Sequence, residues 1–246
     1  MSQRRCFGHA ATPKVTEGKN AERLTRWIAQ QAKSPLVFTE AQQQHLARLL
    51  PLLLCGEQSA QLVFNQEIER LGQQQPSLTD KERLRTIATL QAVEADECRH
   101  DIALQQVADS LPQHNDAASE IAKVQRLAKR FYMGLGRVEN YQQHFVRIAT
   151  LDTCVTQIMH SFEHSNLGRE HGFSQLCAMI KKDEAKHVYV SRHHAIGLGA
   201  SADDFAQQQE SVSSDLFTLL LTQQRSFESM GVCLDSIKQR LEDKWQ

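Results

Sequence analysis

Apolar residues recur at steps of three and four along most of this chain, the spacing that lays them on one face of an α-helix. Leu46, Leu50, Leu53, Ala60 and Phe64 form one stripe, and Ile87, Leu90, Val93, Leu104 and Val107 a second. Tyr141, Phe145, Ile148, Val155, Met159 and Phe162 form a third, and Phe173, Leu176 and Ile180 a fourth. Helix breakers divide them. Thr39 suits an N-cap, so the first long helix is expected from there to Leu71, kinked at Pro51. The linker 72–77 follows. Further long helices are expected at about 79–111, stopped by Pro112, at about 137–165, and at about 172–196, ending at Gly197. An intermediate helix should run from Asn115 to Met133 and end at Gly134 and Gly136. A short amphipathic helix at 21–32 precedes this set. One or two more, broken near Gly231, fill 202–244. The pattern predicts an all-α chain: one domain over 1–246, built as a four-helix bundle at 39–197 with flanking helices and antiparallel pairs.

Each long stripe contains an acid where an apolar residue belongs. Glu57 interrupts the first, Glu97 and His100 the second, Asp152 the third, and Glu184 and His187 the fourth. Two of these come from near-copies, DECRH at 96–100 and DEAKH at 183–187. Buried carboxylates neutralise, pair or coordinate a cation. Four acids and two histidines facing one another therefore call for compensating charge, which two divalent cations would supply. Position along the bundle agrees. Glu57 and Glu97 are centred on Ser77, and Asp152 and Glu184 on Gly168, both inside expected loops. Glu163, the rival acid of the third helix, would be centred within the fourth helix and lies off the best stripe.

Composition narrows the function classes. A formal charge of −1 and a pI near 6.8 give no global reason to expect a nucleic-acid or membrane-surface partner. No apolar run approaches the roughly 18–20 residues of a membrane span, so a cytoplasmic protein is expected. The six cysteines are scattered, without C-x-x-C or zinc-ribbon spacing, which speaks against a disulfide framework. Phosphate-loop, G-x-S-x-G and H-E-x-x-H patterns are absent from the sequence.

A Glu on one helix, Glu-x-x-His on the next, a carboxylate on the third and Glu-x-x-His on the fourth resembles the ferritin-like di-iron carboxylate superfamily over about 40–197. The resemblance implies that Glu57, Glu97, His100, Asp152, Glu184 and His187 bind two Fe ions, with Mn/Fe or di-Mn as variants. Glu97 and Glu184 would bridge the metals. Asp96 and Asp183 would accept hydrogen bonds from ligand histidines across the bundle. It further implies an oxidoreductase: an O2-activating oxygenase or oxidase of a small organic substrate, with an electron-transfer protein as partner and a homodimer as an assembly. GEQSAQLVF around Glu57 resembles aldehyde-deformylating oxygenases and quinone hydroxylases. KDEAKH resembles aryl-amine N-oxygenases and acyl-carrier desaturases. The chain departs from the N-oxygenase pattern at Ile180, where a third histidine would stand, and from the commoner Glu at Asp152.

Two other readings are a ferroxidase or iron-handling protein and a metal-free helical interaction module. Phe64, Phe145, Val155, Met159 and Ile180, neighbours of the acids on their stripes, are the expected lining of a substrate pocket, whereas His194 is read, with His193, as an ordinary helix-end residue, the pocket's border being the alternative. Tyr141 and Tyr189 are the tyrosines nearest the site in sequence. Cys98 and Cys154 fall on other faces and are read as packing residues. Lys123, Arg126 and Arg130 make a basic face on the intermediate helix, either solvated or a dock for an acidic partner.

Overall fold

The computed structural model describes residues 18–73, 80–112, 115–138 and 140–245, and all of the regular structure among them is helical. The elements are α1 (Lys19–Gln31), α2 (Glu40–Gln73), α3 (Asp80–Ser110), α4 (Asn115–Leu135), α5 (Tyr141–Glu163), α6 (Gly172–Gly197), α7 (Ala202–Leu221), α8 (Gln224–Ser229) and α9 (Leu234–Trp245). No helix among the described residues is long and apolar enough to cross a membrane.

Local chemistry sets the boundaries. Thr39 opens α2 with a reciprocal cap, its hydroxyl accepting from the Gln42 N–H while the Gln42 side chain accepts from the Thr39 N–H. Pro51 lies buried inside α2, which continues through it. Most of the expected linker, 74–77, falls outside the described residues. α5 begins later than the expected start near 137, at the first residue of its apolar stripe, because Asn140 accepts from the Gln143 N–H and fixes the first turn at Tyr141. The tail forms three helices rather than one or two. α7 starts on a capping box made by Ser201 and Asp204. Cys98, Cys154, Cys177 and Cys233 are free, whereas Cys55 is disulfide-bonded, a cross-link that the scattered spacing did not announce.

α2 packs along α3 and α5 along α6. α3 also meets α6, while α2 and α5 barely touch; α4 lies on α2, α7 on α5, and α4 meets α7. The α2/α5 seam is therefore roofed by α4 and α7. On the opposite side α1 rests against α3 and α6, held by hydrogen bonds from the Trp27 indole N–H to the Gly172 carbonyl and from Asn20 to the Met179 carbonyl.

The core divides into two apolar plugs. One gathers Leu49, Leu50, Leu104, Phe162, Phe173 and Leu176, the other Phe64, Leu90, Val93, Phe145 and Val190. Each fully buried Leu or Phe contributes about 1.5–3 kcal/mol. In all four long helices, the acid that interrupts the stripe falls between the stretches feeding the two plugs, so the plugs bracket one polar layer.

The joint between α8 and α9 closes onto the α5–α6 loop. The Asn166 backbone N–H donates to the Met230 carbonyl and its amide to the Ser229 carbonyl. Gly231, at φ 76°, passes so close that a Cβ there would lie 2.2 Å from Asn166 Oδ1. Gly231→Ala is expected to destabilise the fold by about 1–3 kcal/mol, from the left-handed backbone and the contact together. Urea denaturation would register the loss, and an unchanged midpoint would contradict this packing.

Candidate metal centre

The polar layer is assembled from four helices. α2 supplies Glu57, α3 Asp96, Glu97 and His100, α5 Asp152, and α6 Asp183, Glu184 and His187. All six expected ligands are buried; Glu57, the most exposed, shows only 4% of its surface. Residues 93–101 of α3 are buried without interruption, because α1, α2 and α6 enclose that stretch.

The two histidines are oriented alike. His100 turns Nδ1 toward Glu57 Oε2 at 3.2 Å, Glu184 Oε1 at 3.4 Å and Glu97 Oε2 at 3.9 Å. Its Nε2 faces Asp183 Oδ2 at 3.3 Å. His187 turns Nδ1 toward Glu97 Oε1 at 3.0 Å and Glu184 Oε1 at 3.6 Å, with Nε2 3.5 Å from Asp96 Oδ2. Each histidine of one Asp-Glu-x-x-His copy thus meets the aspartate of the other, and Glu97 and Glu184 each lie within reach of both rings. Asp96 also pairs with Arg99 and accepts from the Lys186 ammonium at 2.9 Å.

Ligand atoms from Glu57, Glu97, His100 and Glu184 all fall within 4.8 Å of one another, a buried cluster that could hold a metal ion. His187 stands across Glu97 and Glu184 from that group. Asp152 is buried beside it, but its Oδ2 lies 3.4 Å from the Ser191 hydroxyl, and its short side chain leaves it outside the four-residue set. Glu163, by contrast, sits near the surface in an ion pair with Lys181. With His160 and His164 it forms a second, partly exposed group of potential metal-binding side chains, already occupied by Lys181 and by Arg169 on His164.

The donor set suits a divalent cation. Glu97 Oε1 and His187 Nδ1 are buried 3.0 Å apart, yet neither makes an aligned hydrogen bond. Both are thus buried without a hydrogen-bond partner among the described residues. An unsatisfied buried group costs about 1–3 kcal/mol, more when charged, and a cation bound to both atoms removes that cost. Mixed carboxylate oxygen and imidazole nitrogen donors match iron, manganese or zinc better than calcium.

Protons distribute themselves accordingly. Burial alone would lower the pKa of His100, but the charge of Glu57 and hydrogen bonds with Asp183 and Glu184 drive it well above its usual value. His187 is raised likewise, against burial, by Glu97, Asp96 and Glu184. Burial and the charge of Glu184 raise Glu97 and Asp152. Glu184 is lowered despite burial, because both histidines bond to it.

A narrow cavity of about 30 Å³ opens beside the acids, between α2 and α5. Val155 and Met159 line it as expected, together with Leu53 and Leu151. Phe64, Phe145 and Ile180 do not. Phe64 and Phe145 pack edge to face at 5.6 Å in the plug one layer away, and Ile180 belongs to the other plug. The roof supplies Tyr132 from α4 and Leu216, Leu219 and Leu220 from α7, none of which the ligand stripes indicate. Tyr132 is the buried tyrosine of the site; Tyr189 is 70% exposed, and Tyr141 packs under the Arg70 guanidinium. One sequence signal for Tyr132 exists in Gly56, a helix-interior glycine next to Glu57. A Cβ there would lie 2.8 Å from the Tyr132 hydroxyl.

His194 does not border the cavity. It pairs at 2.6 Å with Glu67, a fully buried acid that Arg70 grips through both oxygens. Cys98 and Cys154 are buried, and burial followed by the Asp152 charge pushes the Cys154 thiol up to about 12, the behaviour of a packing residue.

The proton inventory fixes a sign. His100, His187, Glu97 and Asp152 all bind protons more tightly folded than unfolded, so each stabilises the metal-free fold at low pH. Each loses that contribution as pH rises through its folded pKa, which for the histidines begins above about 6.5. Metal-free chain should therefore lose thermal stability as pH rises above about 6.5, and divalent cation, which displaces those protons, should stabilise more strongly there. Calorimetry in buffers of different ionisation enthalpy should show net proton release on Fe(II) or Mn(II) binding; proton uptake would contradict the assignment. Comparison with known proteins adds no family to this geometry, since no family model, curated protein or solved structure matches the chain.

Proposed function

We propose that the chain is a ferritin-like four-helix bundle holding a dinuclear iron centre, and that it oxidises a small organic substrate with O2. The observation that carries this reading is the paired orientation of His100 and His187. Their Nδ1 atoms share Glu97 and Glu184, while their Nε2 atoms face Asp183 at 3.3 Å and Asp96 at 3.5 Å. Glu57 would complete one half of the centre and Asp152 the other, with manganese as the alternative occupant of either half.

When bound, the metals supply the one-electron steps that reduce O2. The protein's own contribution is arrangement. Asp183 bonds to His100 Nε2 and Asp96 lies 3.5 Å from His187 Nε2, so with metal bound these acids would orient each imidazole with Nδ1 inward and raise its basicity. The leucines of α2 and α7, with Val155, Ile158 and Met159, exclude water from the open side. Tyr132 places one hydroxyl on that otherwise apolar wall; among the described residues its hydrogen bond is a long one, 3.4 Å to the Leu52 carbonyl, leaving the group available to a polar atom in the cavity.

The lining favours an oxygenase over an iron store. Iron entering for storage needs a route of acids or histidines, whereas the cavity walls away from the ligands are aliphatic. The space admits O2 and a slender apolar group, so a larger substrate requires the α4/α7 roof to move.

Elemental analysis of protein from iron-supplemented cells should give about two metals per chain, lost in the Glu97→Ala, Glu184→Ala variant. Oxygen consumption by the reduced protein with candidate substrates follows. A chain that stayed metal-free after anaerobic reconstitution with Fe(II) or Mn(II), yet kept its helical circular dichroism, would end the enzyme reading and leave a helical interaction module.

A further inference from the structure

α6 separates its charges by side. Its two acids, Asp183 and Glu184, are buried against the polar layer. Its outward positions carry Lys182, Lys186, Tyr189, Arg192, His193 and Ile196, all exposed, with no acid among them. Tyr189 and Ile196 expose 70% and 58% of their surface, and the Tyr189 and His193 rings lie 6.1 Å apart along the face. Cations around exposed aromatic and aliphatic groups are the composition of a protein-binding surface. The face is also directly coupled to the centre: the Lys186 ammonium holds Asp96 at 2.9 Å, and Asp96 faces His187 Nε2.

We propose that this face of α6 is the docking surface for an acidic one-electron carrier protein. The inference rests on the oxygenase reading, which creates the need for such a partner. Inserting one atom of O2 into a C–H or N–H bond withdraws two electrons from the substrate. Releasing the second atom as water takes two more electrons and two protons. A reduced carrier delivers the electrons one at a time and leaves oxidised; the protons come from solvent. Charge complementarity selects the occupant. A second copy of this chain, stacked through the same face about a two-fold axis, would set Lys182, Lys186 and Arg192 against their own counterparts. Nucleic acid would call for a broader basic surface and offer little to Ile196. An acidic protein meets the cations and buries Tyr189 as the central anchor, the residue type that dominates interface energetics.

The test uses two acidic carriers as probes, a [2Fe–2S] ferredoxin and a flavodoxin, with binding to the full chain measured by calorimetry. At least one should bind, with affinity falling about tenfold or more as salt rises from about 20 to 300 mM. The Lys182→Glu, Tyr189→Ser variant should weaken that binding about tenfold or more. Charge reversal on the outer face of α4, Lys123→Glu with Arg126→Glu, should change it less than about twofold. Lys186 is left intact because it supports Asp96. Metal content, and turnover driven by dithionite with a small mediator, should be unchanged in the α6 variant.

Three results overturn the proposal: neither carrier binding below about 100 μM at low salt, α4 reversal weakening binding as much as the α6 variant, or a homodimer in sedimentation that Lys182→Glu disrupts. Failure of the oxygenase reading is separable. A chain that loads no metal loses that reading, while the affinities of the metal-free chain and its variants still decide the docking surface.

Discussion

Eight ionisable side chains share one buried layer, and the balance of charge among them is the constraint around which the rest of the structure is arranged. Removing a single ion from water costs several kcal/mol even after relaxation, so the layer exists only because its members compensate one another. Two histidines stand among six carboxylates, of which Asp96 is also answered by Arg99 and Lys186. Glu97 and Asp152 are the acids pushed toward protonation, while Glu184, beside both rings, stays ionised. Protons thus occupy the role that divalent cations would take, and exchanging one for the other links metal affinity to pH.

The layer is closed on one side and open on the other. α3 and α6 meet directly, bringing both Asp-Glu-x-x-His segments together so that each histidine faces the other segment's aspartate. α2 and α5, which carry the single acids Glu57 and Asp152, stand apart, and the cavity lies between them. The asymmetry follows from residue type as well as packing. Asp152 is one methylene shorter than Glu57 and turns toward Ser191, so the two acids of the open side are unequal in reach. The cavity therefore opens on the side of the single acids.

The long helices and their buried acids were legible in the sequence because both signals are internal to a helix. An apolar stripe has a fixed period, and a charge that interrupts it is conspicuous. Helix ends were less legible where a side-chain cap set the boundary, as Asn140 does for α5. What the stripes could not convey is depth and crossing. Phe64 and Phe145 share stripes with Glu57 and Asp152, yet lie one layer away and pack on each other. Tyr132 and the α7 leucines belong to helices crossing the bundle from outside, so no spacing measured from the ligands reaches them. The Glu67–Arg70–His194 cluster escaped for a related reason: Glu67 and Arg70 are one turn apart on α2, but His194 comes from α6, and that contact is not given by periodicity.

Gly56 shows how the roof and the centre are tied. A glycine inside a helix costs about 1 kcal/mol relative to alanine, and in α2 that cost makes room for one aromatic ring. Tyr132 rests where a side chain at position 56 would be, with its hydroxyl toward the Leu52 carbonyl one turn earlier. The contact falls one peptide bond from Glu57. Tyr132 of α4 thus rests against the turn of α2 that carries Glu57, so the roof and the acid layer meet at Gly56.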